Sequence, residues 1–90
     1  KLPINEIRLT SADVWPNPST SHFNVRVSSP VNATIELRMY DMKGNVVEIK
    51  RGSTNDVFRF GNGVAAGMYI IEARQQGIAD RKTIKVVKVN

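Results

Sequence analysis

The stretch Gly67-Met68-Tyr69-Ile70-Ile71-Glu72-Ala73-Arg74 decides how the rest of the chain is read. It is followed by Gln75-Gln76-Gly77 and then by Asp80-Arg81-Lys82-Thr83-Ile84-Lys85-Val86-Val87-Lys88-Val89-Asn90. Tyr69, Ile71 and Ala73 alternate with Ile70, Glu72 and Arg74, the period of two that marks a β-strand. The last run, from Lys82 to Val89, sets β-branched residues between lysines and contains neither Gly nor Pro. Two strands joined by a short Gly-containing turn are predicted, the second at or near a sheet edge. The upstream chain then has to supply what this hairpin packs against.

Working backwards, the same period recurs. Val57-Phe58-Arg59-Phe60 is a short strand with both phenylalanines on one side, and Gly61-Asn62-Gly63-Val64-Ala65-Ala66-Gly67 is a glycine-rich crossing. Arg51 to Asp56 reads as a loop, and Val46 to Lys50 as a strand. Asp41-Met42-Lys43-Gly44-Asn45 carries a tight-hairpin signal: Asp can accept from its own backbone, and Gly supplies a positive φ. Thr34 to Tyr40 alternates with Ile35, Leu37 and Met39 inward, and His22 to Ser28 with Phe23, Val25 and Val27 inward. Ser29-Pro30-Val31-Asn32 is a turn. Trp15-Pro16-Asn17-Pro18 cannot lie in a central strand, because each proline lacks a ladder donor and restricts its predecessor. Ile7, Leu9 and Val14 suggest a first strand before that corner. No helical period is sustained anywhere. Short strands punctuated every ~8–12 residues predict an all-β fold, an immunoglobulin-like antiparallel β-sandwich of about seven strands. Residues 1–13 read as linker with that first strand, and 14–90 as the domain.

With 90 residues the chain is one small domain, burying roughly 60–65% of its unfolded surface. It begins at Lys1 without Met, which reads as a piece of a longer protein. Cysteine is absent, so no disulfide or thiolate site contributes. No apolar run approaches the ~20 residues of a membrane-spanning helix. Thirteen Lys and Arg against eight Asp and Glu give a net charge of +5 and a pI near 10.0. That balance favours anionic partners. Single spacing of Arg26, Arg38, Lys50, Arg59 and Arg74 is nevertheless what the wet face of an antiparallel sheet looks like.

Catalytic chemistry finds little support. His22 is the one histidine and sits at a strand start opposite Phe23, so a Ser-His-Asp set lacks its base. No second histidine is available for zinc, and Asp13, Asp41, Asp56 and Asp80 are scattered rather than spaced for calcium. The glycines of 61–67 precede no helix, so a phosphate cradle has no basis. The reading is therefore no enzyme, no cofactor and no metal. Nucleic-acid binding needs exposed aromatics among the basic residues, whereas Phe23, Phe58, Phe60 and Tyr69 fall on inward phases. Trp15 alone is ambiguous, and with Tyr40 and Tyr69 makes a poor carbohydrate-binding row.

Four motifs in order give the chain a resemblance. They are Val14-Trp15-Pro16-Asn17-Pro18 with Ser19, Thr20 and Phe23; Met39-Tyr40-Asp41-Met42-Lys43-Gly44-Asn45-Val46-Val47; Val64-Ala65-Ala66-Gly67-Met68-Tyr69-Ile70-Ile71; and Lys82 to Asn90. Together they resemble the C-terminal sorting domain (type A) of cargo proteins of the type IX, or Por, secretion system of Bacteroidetes-type bacteria, over residues 14 to 90. Val64 stands where that family usually has Leu. The resemblance implies a non-catalytic export signal that directs a cargo across the outer membrane. It implies as partners the outer-membrane secretion machinery and a sortase-like peptidase, with no nucleic acid. Removal on attachment to anionic lipopolysaccharide follows in the family, the cut lying before Trp15. The expected route is periplasm, then cell surface or exterior.

Recognition by the machinery is assigned to Lys82, Lys85, Val86, Val87, Lys88, Val89 and Asn90, joined by the Asp41–Gly44 turn. A mainly structural role falls to Trp15, Pro16, Asn17, Pro18, Phe23, Asp41, Gly44, Val47, Gly67 and Tyr69. An exposed terminal strand also allows a dimer by strand pairing or swapping. The alternative reading is an immunoglobulin-like adhesion or carbohydrate-binding module of an extracellular protein.

Overall fold

The computed structural model describes residues 11–75 and 81–90. The expected turn after Gln75 and the expected contributions of Ile7 and Leu9 lie outside these residues. Seven strands run β1 (Ser11–Trp15), β2 (Phe23–Ser28), β3 (Thr34–Asp41), β4 (Val46–Ser53), β5 (Val57–Phe60), β6 (Gly67–Gln75) and β7 (Arg81–Lys88). They form two antiparallel sheets, of order β1-β2-β5 and β4-β3-β6-β7. β4 extends the β3-β6-β7 sheet instead of pairing with β5, a common variation on the immunoglobulin-like plan. The architecture is the predicted sandwich.

The inward phase of every well-patterned strand is the predicted one. Phe23, Val25 and Val27 from β2 meet Phe58 and Phe60 from β5, and across the interior lie Ile35, Leu37, Met39, Tyr69, Ile71, Ala73 and Val86. Val14 and Ile84 pack against this cluster from the two strands that flank it.

Two local readings change. Arg51 to Ser53 continue β4 rather than opening a loop, with Gly52 opposite Ile35. The Phe58 ring lies where a side chain on Gly52 would begin, 2.7 Å from an ideal Cβ. The strand passes over that ring because residue 52 has no side chain. The crossing to β5 is confined to Thr54-Asn55-Asp56. There the buried Thr54 hydroxyl donates to Val31 O and accepts from Ala33 N–H, tying it to the β2–β3 crossing. Glu72, on the outward phase of β6, is also buried: the Tyr40 hydroxyl donates to its Oε1 and Arg81 pairs with its Oε2 at 3.0 Å.

A candidate recognition pole

Strand register brings the four motifs to one end of the sandwich. Asp41 pairs with Tyr69 and Tyr69 with Val86, so the β3–β4 turn, the start of β6 and the end of β7 share one level. Trp15 pairs with Asn24 and Phe23 with Phe60, which puts the proline corner and the 61–66 crossing at the same end. The crossings at 29–33 and 54–56 occupy the opposite end.

The corner is built to reach β7. After β1 the chain leaves the three-stranded sheet and lies along the outer edge of the four-stranded one, where Ser19 forms a parallel bridge with Lys88. The Asn17 amide imitates a peptide group: its Nδ2 donates to Lys85 O and its Oδ1 accepts from Val87 N–H, both at 3.0 Å. Ser19 continues the ladder, its N–H donating to Val87 O and its C=O accepting from Val89 N–H. Its buried hydroxyl donates to His22 O and accepts from Ser21 N–H. Pro16 and Pro18, which flank this contact, are exposed. Trp15 is 41% exposed and lies under the Arg26 guanidinium, 5.9 Å from the ring centroid, within cation–π range.

The turn behaves as its residues predict. Asp41 Oδ1 accepts from the backbone N–H of Lys43 and of Asn45, and Gly44 takes a φ of +90°. The Asn45 backbone bond, with a lesser share from the Asn45 side chain and Lys43, holds the Asp41 carboxyl below its ordinary pKa. Val47 is exposed beside the register shift between Met39 and Tyr40. Phe23 and Tyr69 are core residues, and the Tyr69 hydroxyl donates to Ala65 O at 2.6 Å, fixing the crossing that precedes Gly67.

The terminal strand divides by phase. Lys85, Val89 and Asn90 are exposed, while Lys82 and Val87 are half-buried. Val86 is fully buried. Lys88 departs from the expectation of a lysine offered to solvent: it is 6% exposed, and its Nζ donates to Gly61 O at 2.6 Å. The cause is alternation, because Ile84, Val86 and Lys88 all face the other sheet. Lys88 lines a cleft of about 310 Å³ together with Thr20, Ser21, Asn62, Gly63 and Asn90. Sequence reasoning missed both the edge-covering role of Asn17 and Ser19 and the acceptor waiting for Lys88. Neither partner is marked locally.

On the outer face of the four-stranded sheet, Glu36 bridges Arg38 at 2.7 Å and Arg51 at 2.8 Å. The bond from Arg38, seconded by Arg51, draws the Glu36 carboxyl below its ordinary pKa, and the same carboxylate raises that of Arg38. Among the described residues, no three His, Cys, Asp or Glu side chains gather as a metal site, and no helix is long and apolar enough to cross a membrane.

No curated protein matches the chain. A family does: residues 13–88 match the secretion system C-terminal sorting domain. That span starts within β1 and ends with β7, so it takes in the corner, the turn, the 61–66 crossing and the terminal strand. The chain belongs to the secretion system C-terminal sorting domain family, whose members act as C-terminal sorting signals for type IX secretion, engage its machinery and carry their cargo across the outer membrane to the cell surface.

Proposed function

We propose that this domain folds in the periplasm and is recognised there as a folded object, at the pole where its four motifs meet. The carrying observation is that convergence: motif residues up to 70 positions apart in sequence touch one another, as Asn17 touches Val87. A machine that reads this pole can distinguish a folded domain from an unfolded tail. Of the recognition set, Lys85, Val89 and Asn90 are exposed and Val87 half-buried toward the pole, while Lys82 is half-buried and pairs with Ala73, away from it. Val86 and Lys88 act from within, by holding the strand in place. The Asp41–Gly44 turn lies at the same level and completes the surface. After export, a sortase-like peptidase removes the domain by a cut in the segment before Trp15, and the cargo passes to anionic lipopolysaccharide.

The test is export of a periplasm-directed fluorescent carrier fused to residues 1–90, in a host with a working type IX system. Deleting residues 85–90 would be a poor control, because it takes Val86 out of the core and Lys88 off Gly61. The informative variant is Lys85→Glu, at an exposed position on the phase opposite Ile84, Val86 and Lys88, which leaves the core intact. Wild-type export with periplasmic retention of the folded variant supports the reading. Equal export of both removes Lys85 from the signal. Retention of both overturns the sorting function for this domain, and glycan titration would then decide the adhesion or carbohydrate-binding alternative.

A further inference from the structure

Of the four edge strands, β1 and β7 run close beside each other, and Asn17 and Ser19 close the end of β7. β5 has only four residues. β4 has eight, and β3 is the strand that runs alongside it. The two ends of the β3–β4 ladder fix which backbone groups of β4 face outward. Asp41 N–H donates to Asn45 O at one end, and Thr54 N–H donates to Ala33 O at the other. Bonded positions recur every second residue, so Ile35, Leu37 and Met39 bond to Gly52, Lys50 and Glu48 in this register. The N–H and C=O of Ile49 and Arg51 therefore point away from β3, and nothing among the described residues bonds to them there. Val46, Val47 and Ile49 are 43%, 40% and 46% exposed. An exposed apolar edge of this length is a template for strand pairing.

We propose that β4 pairs with β4 of a second copy of this chain, antiparallel about a two-fold axis at Ile49, joining the two four-stranded sheets into one of eight strands. Charge chooses both the occupant and the register. Positions 47, 49 and 51 are those that can exchange backbone bonds with the partner. Glu48 and Lys50 then stand at the non-bonded positions between them, where opposed residues come closest. With Ile49 opposite the partner's Ile49, Glu48 faces the partner's Lys50 and Lys50 faces the partner's Glu48, two favourable cross-strand pairs. The neighbouring allowed registers instead oppose Glu48 to Glu48 or Lys50 to Lys50, like charges at the shortest spacing. Within one copy, Glu48 Oε1 accepts from Gly61 N–H at 2.9 Å, while Oε2 meets Lys50 at 3.6 Å. That second oxygen keeps the capacity to accept from another ammonium. On the outer face the two Ile49 side chains cover each other, and Val47 lies against the stem of the partner's Arg51. The contact is isologous, so it closes at two copies. Position 45 meets position 53 in this register, so the Asp41–Gly44 turn projects past the partner's β4 and both recognition poles stay uncovered.

The experiment is sedimentation equilibrium of residues 1–90 over a dilution series, in which the mass should rise from 10.0 kDa toward twice that value. Lys50→Glu and Glu48→Lys each reverse two cross-strand pairs, so each should weaken self-association about ten-fold. An equimolar mixture of the two variants should recover association of wild-type strength, because one copy then carries acids at both positions and the other bases. Glu48→Lys also gives up the bond to Gly61, so two readouts avoid it. In the wild-type chain, the Ile49 and Arg51 amides should gain exchange protection as concentration rises, and the Thr83 amide should not. The chain has no cysteine, so Ile49→Cys supplies a single thiol that meets its own copy across the axis, at a Cα separation of about 5.5 Å that a disulfide spans. Under oxidation it should cross-link, and Arg51→Cys, which faces Val47, should not. A mass that stays at one copy up to ~1 mM, no recovery on mixing two folded variants, equal cross-linking at positions 49 and 51, or protection centred on β7 would each overturn the proposal. None of these readouts involves export, so pairing and sorting can fail separately.

Discussion

Replacing Lys88 by Met separates a docking lysine from one that holds the fold. Met keeps the apolar stem and most of the volume while removing the ammonium, so the change isolates the bond to Gly61 O. A hydrogen bond from a charged donor contributes about 1.5–3 kcal/mol, and a buried carbonyl left without a donor costs about as much as the bond contributed. Against this, burying a cation is unfavourable, and replacing buried charge with an apolar group can stabilise by ~1–4 kcal/mol. The Gly61 carbonyl decides the balance. Gly61 is itself buried and Lys88 Nζ donates to its oxygen at 2.6 Å, so Met leaves a buried acceptor without its charged donor. The expected result is a loss of about 1–2 kcal/mol, which lowers the melting temperature by about 5–15 °C in a domain of this size. Urea and thermal unfolding of residues 1–90, followed by circular dichroism, measure it. A surface lysine would change stability by no more than ~0.5 kcal/mol. A Lys88→Met variant as stable as the wild type, or more so, would refute the argument that the Gly61 bond outweighs desolvation.

Asn17→Ala removes two edge bonds whose partners water can reach, so the loss should stay near ~1 kcal/mol; hydrogen exchange should speed up at the Val87 amide and not at Val86. Leu37→Ala opens a cavity between the sheets and should cost about 2–5 kcal/mol in urea unfolding, with the slope unchanged. Gly44→Ala meets no atom within 4 Å but must hold a φ of +90°, which costs ~1–2 kcal/mol; a neutral result would show that the turn relaxes. Asp41 and Glu36 titrate below their ordinary values of 3.8 and 4.5 when folded, so the unfolded chain binds protons first as pH falls. Their stabilisation is therefore fully present above those ordinary values and is lost as pH drops through the lower folded ones. Asp41→Asn should flatten the acid limb of a stability–pH curve, and an unchanged limb would remove Asp41 as a contributor.

Much of this protein is determined within short windows of its sequence. The period of two in Phe23–Val27, Ile35–Met39 and Tyr69–Ala73 sets which side chains face inward, because a strand leaves each residue only two faces. Asp41 and Gly44 make their turn with partners no more than four residues away, and the ordered motifs carry the family. In the terminal strand the same period carries Lys88 inward with Ile84 and Val86, against the expectation that its charge would keep it in solvent. Tertiary structure decided what that inward lysine would meet: Gly61 O lies 27 residues back. It decided that Glu72, a polar residue on an outward phase, would be covered by Tyr40 and Arg81. It decided that Asn17 would close half of an edge that otherwise reads as free. These outcomes depend on how two sheets and one corner are placed against each other. Hydrogen-bond partners across such distances leave no periodic trace, since any surface asparagine or lysine looks the same until the chain brings a carbonyl to it.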